Sequence, residues 1–139
     1  MINLKRILLV TALVLAFTGV RSFAQTKTLS LQLLETPDRK EKIDFQLNNN
    51  GQDTAYYTIS LQALINDEWK EADPDVLNNL PNKAVSVRAI APGAKEPQSY
   101  AFSRLDAGTR NAAGRLRFKA QYGSNSDELD KTVYSETFK

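Results

Sequence analysis

What the chain lacks sets the first limit on its chemistry. Its 139 residues include no histidine and no cysteine. Ser-His-Asp and Cys-His nucleophilic catalysis therefore cannot be assembled, and the usual zinc ligand sets are missing. Sixteen acidic residues remain, but paired-carboxylate glycoside hydrolysis also needs a cleft that holds a sugar ring. A domain of this size rarely supplies one, and the carboxylates are no more numerous than a solvated surface needs. The chain is read as non-enzymatic, with no cofactor and no metal.

The residues best suited to gripping something are basic and aromatic. In Arg115-Leu116-Arg117-Phe118-Lys119 every second residue is a cation, and alternate residues of a strand share a face. Arg115, Arg117 and Lys119 therefore form a candidate ligand-binding row. Arginine's planar fork suits the paired oxygens of a carboxylate or phosphate, so the row could take an acidic glycan, a lipid phosphate or an acidic partner. Arg104 and Arg110 lie just upstream, with Asp106 the sole acid between Arg104 and Lys119. The competing reading is an ordinary wet face, its charges paired across strands with Asp44 or Glu136. Trp69, the single tryptophan, is likewise open to two readings. It is either a stacking platform or partner anchor, or a cover for one end of the core, its indole N–H bonded to a carbonyl. Asp73-Pro74-Asp75 and Asp127-Glu128 with Asp130 do not follow the ligand spacing of a calcium loop and are read as polar loops. Phosphate-binding glycine loops and nucleic-acid motifs are absent.

Strands must position these side chains, because period-two alternation recurs along the chain and the helical period does not. Leu29, Leu31 and Leu33 alternate with polar residues, as do Ile43, Phe45 and Leu47. Asn50-Gly51 follows in a polar loop and suits a turn with positive φ. Tyr57, Ile59, Leu61, Ala63 and Ile65 share one face of a long strand, Asn66-Asp67 marks a turn, and Glu68 to Ala72 returns. After an irregular 73–83 connection, Val85, Val87 and Ala89 restart the alternation until Pro92-Gly93. Tyr100 and Phe102 face away from Ala101, Ser103 and Leu105, and 107–113 is a loop. Leu116, Phe118, Ala120 and Tyr122 share a face, and Tyr134, Glu136 and Phe138 share one face of a last strand. Seven to eight strands at spacings of roughly a dozen residues, without intervening helices, predict an all-β antiparallel sandwich with each sheet wet on one side.

The N-terminus predicts where this domain works. Lys5 and Arg6 precede an apolar run from Ile7 to Phe17, and Ser22-Phe23-Ala24 closes the segment with small residues. That order describes a cleaved signal peptide over residues 1–24, its core well short of the ~20 apolar residues of a membrane span. One domain, residues 25–139, would remain. Eighteen basic residues less Lys5, Arg6 and Arg21 leave 15 against 16 acids, a net charge of −1. No global attraction to nucleic acid or anionic lipid follows. Without cysteine there is neither a disulfide nor a lipid-modified residue after the signal. A soluble periplasmic or extracellular protein, without stable membrane insertion, is expected.

The order of turns and strands resembles the small bacterial immunoglobulin-like domains of exported proteins, a group related to the intracellular proteinase inhibitor of bacilli. The resemblance is carried by Ile43 to Asn49, by Asn66-Asp67-Glu68-Trp69, by Ile90-Ala91-Pro92-Gly93, by Gly114-Arg115-Leu116-Arg117 and by Ser135-Glu136-Thr137-Phe138. Leu116 stands where that pattern often has tyrosine. The resemblance implies an immunoglobulin-like fold with a binding or structural role and no shared catalytic residues. The expected function is therefore an exported binding or structural module for an envelope or extracellular macromolecule, with proteinase inhibition and carbohydrate binding as alternatives. An unpaired edge strand also allows a dimer.

Overall fold

The computed structural model describes residues 28–34, 41–78 and 84–139. The expected signal peptide lies outside them, as do 35–40 and the 79–83 part of the long connection. Eight strands form in chain order: β1 (Leu29–Leu33), β2 (Lys42–Asn49), β3 (Ala55–Ile65), β4 (Glu68–Asp73), β5 (Arg88–Ile90), β6 (Lys95–Ala101), β7 (Arg115–Gly123) and β8 (Lys131–Tyr134). Every pairing is antiparallel. One sheet has the order β1-β2-β6, and the other β4-β3-β7-β8 with β5 also pairing with β3. The all-β expectation holds.

The alternating apolar residues close the space between the sheets. Leu29, Phe45 and Leu47 of the first sheet are buried with Tyr57, Ile59, Leu61, Phe118 and Ala120 of the second. Phe45 stacks on Phe118 across the gap, with ring centroids 4.1 Å apart, and Tyr100 meets Phe118 edge-on at 6.1 Å. Each such side chain contributes about 1.5–3 kcal/mol on leaving water, which suits a domain built without disulfides.

Turn chemistry departs from the expectation in one place. Asn66 and Asp67 adopt φ of 52° and 63°, the mirror-image turn that matches the twist of a two-residue hairpin. Asn50-Gly51 does not use positive φ; Gly93 does, at 73°. Gly51 serves close approach instead, since a Cβ there would lie 2.6 Å from Thr28 Cγ2. The reason is topological: residues 50–54 carry the chain from one sheet to the other, so no hairpin turn is required.

Two bulges reset which side chains face inward. Between β3 and β4 the register shifts after Leu61, which opposes Asp73 while Gln62 opposes Glu71. The extra residue on β4 reverses the phase, leaving Trp69 and Glu71 outside and turning Asp73 toward the interior. The second lies after β8. Ala120 opposes Val133, but Leu116 bridges to Phe138, one residue later than a continuous ladder would place it. Ser135 absorbs the break: its Oγ accepts the Phe118 N–H at 2.9 Å and donates to the Glu136 carbonyl at 2.8 Å. Val133 and Phe138 therefore point inward, Tyr134 and Glu136 outward, correcting the shared face expected for Tyr134, Glu136 and Phe138.

Three further expectations are corrected. Val85 and Val87 are exposed, and the inward residue of that stretch is Ile90. Leu105 is buried beside Phe102, because a 3₁₀ turn over Phe102–Arg104 brings residues three apart to one side. The expected 107–113 loop contains a short helix, α1 (Ala107–Ala112), capped by Asp106, whose carboxylate accepts from the Thr109 N–H and hydroxyl. Those contacts hold the Asp106 carboxyl below its usual range.

One open side of the two sheets is laced by polar bonds. Tyr57 donates its hydroxyl to Glu96 at 2.6 Å, and Tyr100 donates to Asp73 at 2.8 Å. Burial first, and then these carboxylate bonds, push both phenols well above their ordinary value of 10.0. A raised folded-state pKa stabilises the fold while the phenol stays protonated. The contribution is therefore complete below pH 10.0 and is lost as pH climbs through the elevated folded values. Unfolding midpoints should fall as pH rises above 10, in step with phenolate absorbance. Tyr57→Phe with Tyr100→Phe should flatten that fall, and an unchanged slope would refute the assignment.

Candidate functional site

The candidate site lies on the outer face of the five-stranded sheet, where the expected binding residues converge. Arg115, Arg117 and Lys119 alternate with buried Leu116, Phe118 and Ala120 along β7. Leu64, Gln62 and Ser60 of β3 oppose them in turn. Trp69 opposes Leu64 on the next strand, and Tyr134 opposes Lys119 on the other side. Strand alternation places all these side chains on one surface.

Arg117 is its centre. Its guanidinium carbon lies 4.0 Å from the centroid of the Trp69 ring and 3.8 Å from that of Tyr134. It therefore packs against both aromatic faces, an arrangement in which the ring quadrupole attracts the cation. The Nε–H donates to Gln62 Oε1 at 2.9 Å, fixing the rotation of the fork. A guanidinium carries five N–H donors, and the Nη donors have no hydrogen-bond acceptor among the described residues. Trp69 is half-buried and outside the core cluster, with the Arg117 guanidinium over its ring. Tyr134, 43% exposed, joins the site only through the register of its strand, since its spacing from Trp69 gives no signal in the sequence.

The expected cross-strand pairing of the cations does not occur. Among the described residues, ion pairs join Lys42 to Asp44 at 3.7 Å and Arg104 to Asp73 at 3.0 Å. Asp44 is thus engaged on the other sheet, and Arg115, Arg117 and Lys119 carry no carboxylate partner. Arg115 instead donates to the Thr137 hydroxyl at 2.8 Å. Arg104 leaves the basic cluster altogether, since it bonds the carbonyls of Asp75, Val76 and Asn78.

The acidic loop at Asp73 and Asp75 also finds structural work. Asp73 serves Tyr100, Arg104 and the Asp75 N–H, and Asp75 accepts the N–H groups of Leu77 and Ser86. Among the described residues no group of three metal-ligating side chains gathers. Small pockets lined by described residues lie elsewhere. One, of about 70 Å³, is lined by Phe102, Leu105, Arg110, Ala113 and Leu116. Another, of about 150 Å³, lies where residues 51–55 meet the β7–β8 hairpin. Both fall below the roughly 300–1,000 Å³ of a typical small-molecule site. No helix among the described residues is long and apolar enough to cross a membrane.

No protein-family model matches the chain, and no curated protein does. Similar solved structures include two of the β-glucosidase from Kluyveromyces marxianus, one in complex with glucose, at 12% and 14% identity and a TM-score of 0.31 in each case. They cover 80% and 78% of this chain, which spans 14% of theirs. At that TM-score the likeness carries no argument.

Proposed function

We propose that the chain is an exported, non-catalytic binding module. In this reading it is an immunoglobulin-like β-sandwich that grips an envelope or extracellular macromolecule with the outer face of its five-stranded sheet. A three-stranded sheet packed on a larger antiparallel one, with the chain crossing between them, fits that architecture. One observation carries the functional reading: three cations stand on a single wet face without carboxylate partners among the described residues, the central one packed against both Trp69 and Tyr134. A guanidinium held by two rings and Gln62 loses little further freedom on binding, so the fork is preorganised for an incoming anion.

The test is co-sedimentation of the purified protein with envelope fragments from its host. Arg115→Gln with Lys119→Gln should weaken the association about tenfold, taking roughly 1.4 kcal/mol for lost charged contacts. The unfolding midpoint should stay nearly unchanged, because both side chains are peripheral to the core. Equal sedimentation of variant and parent would dismiss the face as a binding surface.

A further inference from the structure

The same face narrows the class of ligand. We infer that it binds a carboxylate-bearing polysaccharide, a polyuronate chain laid along β7; the inference rests on the preceding reading of the face as a binding surface. A protein interface favours arginine and aromatic residues at its centre but is depleted there of lysine and serine, whereas this face carries Lys119 and Ser60 in line with its arginines. Here a row of three cations crosses the centre: Gln62 opposes Arg117 and Ser60 opposes Lys119. Gln121 with its partners Thr58 and Thr132 extends the face beyond Lys119, and the acid Glu71, opposite Gln62, stands on the edge strand. Such a surface suits a ligand rich in hydroxyl and carboxylate groups.

The repeat along the strand adds a second argument. Arg115, Arg117 and Lys119 are two residues apart, so their stems recur about every 6.7 Å. That row offers a linear series of cations to a polymer with regularly repeated anions, where a single anion would need only one. The unoccupied Nη edge of Arg117 can take both oxygens of one carboxylate. Tyr134 sets an exposed aromatic beside Lys119, an amphipathic ring that can lie against the C–H face of a sugar while the cation meets its acid.

Three polymers separate the ingredients: polygalacturonate supplies sugar and carboxylate, poly-L-glutamate carboxylate alone, and dextran sugar alone. The one tryptophan, Trp69, reports contact directly through its fluorescence. Polygalacturonate should shift the emission and bind at least about tenfold tighter than either control, and added salt should weaken it. Arg115→Gln with Lys119→Gln should weaken it about tenfold, as should Tyr134→Ala, whose exposed ring can be removed without opening the core. Binding of poly-L-glutamate as tight as polygalacturonate would overturn the sugar requirement, and equal binding of dextran would overturn the charge requirement. No binding of polygalacturonate, with envelope association still dependent on Arg115 and Lys119, would overturn this inference and leave the binding face standing. Loss of both would remove the face itself.

Discussion

Asn49→Asp is expected to lower the stability of the fold by at least about 3 kcal/mol near neutral pH, the scale of a buried group stripped of its partners. The change is small in volume and large in chemistry. Asn49 is 1% exposed, and its amide nitrogen donates to two carbonyls, Asp53 at 2.9 Å and Ile90 at 3.0 Å. Its amide oxygen accepts the Gly51 N–H at 3.0 Å, while its main chain exchanges bonds with Gly93 and Ala94. One side chain thus ties the end of β2 to the chain crossing and to β5 in the opposite sheet. An aspartate would aim a second oxygen at two carbonyl oxygens and bury a charge without a counterion.

The sign of the pH effect follows. Burial and the facing carbonyls would raise the new carboxyl's folded-state pKa above its unfolded value near 4. The penalty should therefore be smallest below about pH 4, where the neutral acid can still donate to one carbonyl. It should grow as pH rises through the elevated folded value. Denaturant midpoints across that range test this, with Asn49→Ala as the charge-free control. An aspartate variant as stable as the parent, or destabilised equally at every pH, would show that these bonds do not hold the sheets together.

Asn49 also shows how far the sequence alone reaches. The alternation of Leu29, Phe45, Ile59 and Phe118 announces two half-buried sheets, because a period-two pattern has one structural meaning over that length. Three consecutive asparagines read only as a polar loop, since composition cannot say which of them will be covered by Ile90, 41 residues away. The misplaced faces share one cause. Phase is legible within a strand but is reversed by a single inserted residue, and neither the Ala72 bulge nor the Ser135 break leaves a mark in hydropathy. The inward turn of Asp73 and the outward one of Tyr134 therefore follow from the register and not from the residue pattern. On β7, where nothing interrupts the ladder, the row of Arg115, Arg117 and Lys119 was legible from spacing. Its aromatic clamp was not, because Trp69 and Tyr134 are 65 positions apart in the chain and meet only through Arg117.

The second large effect concerns Arg104, the cation that lies just upstream of the binding row in the sequence. Arg104→Ala should cost about 3 kcal/mol, the low end for breaking a substantially buried ion pair. The Asp73 carboxylate would keep the Tyr100 hydroxyl but lose its counter-charge 3.0 Å away. Three main-chain carbonyls would lose a donor at the same time, at 2.9 Å for Asp75 and Val76 and 2.8 Å for Asn78. The cation also lies 5.1 Å from the Tyr100 ring centroid, so removal uncovers an aromatic face. Arg104→Lys should recover little, because a single ammonium cannot span one carboxylate and three carbonyls as a fixed fork does. A double-mutant cycle with Asp73→Asn should give a coupling of at least about 1 kcal/mol, as expected of directly bonded partners. Arg115→Gln, measured alongside, should leave stability within about 0.5 kcal/mol, the usual range for surface changes. That contrast decides whether two arginines eleven positions apart divide the work as the geometry says, one bracing the 73–78 loop and the other facing outward to bind. A lysine variant as stable as the parent, or an Arg115 loss equal to that of Arg104, would refute the division.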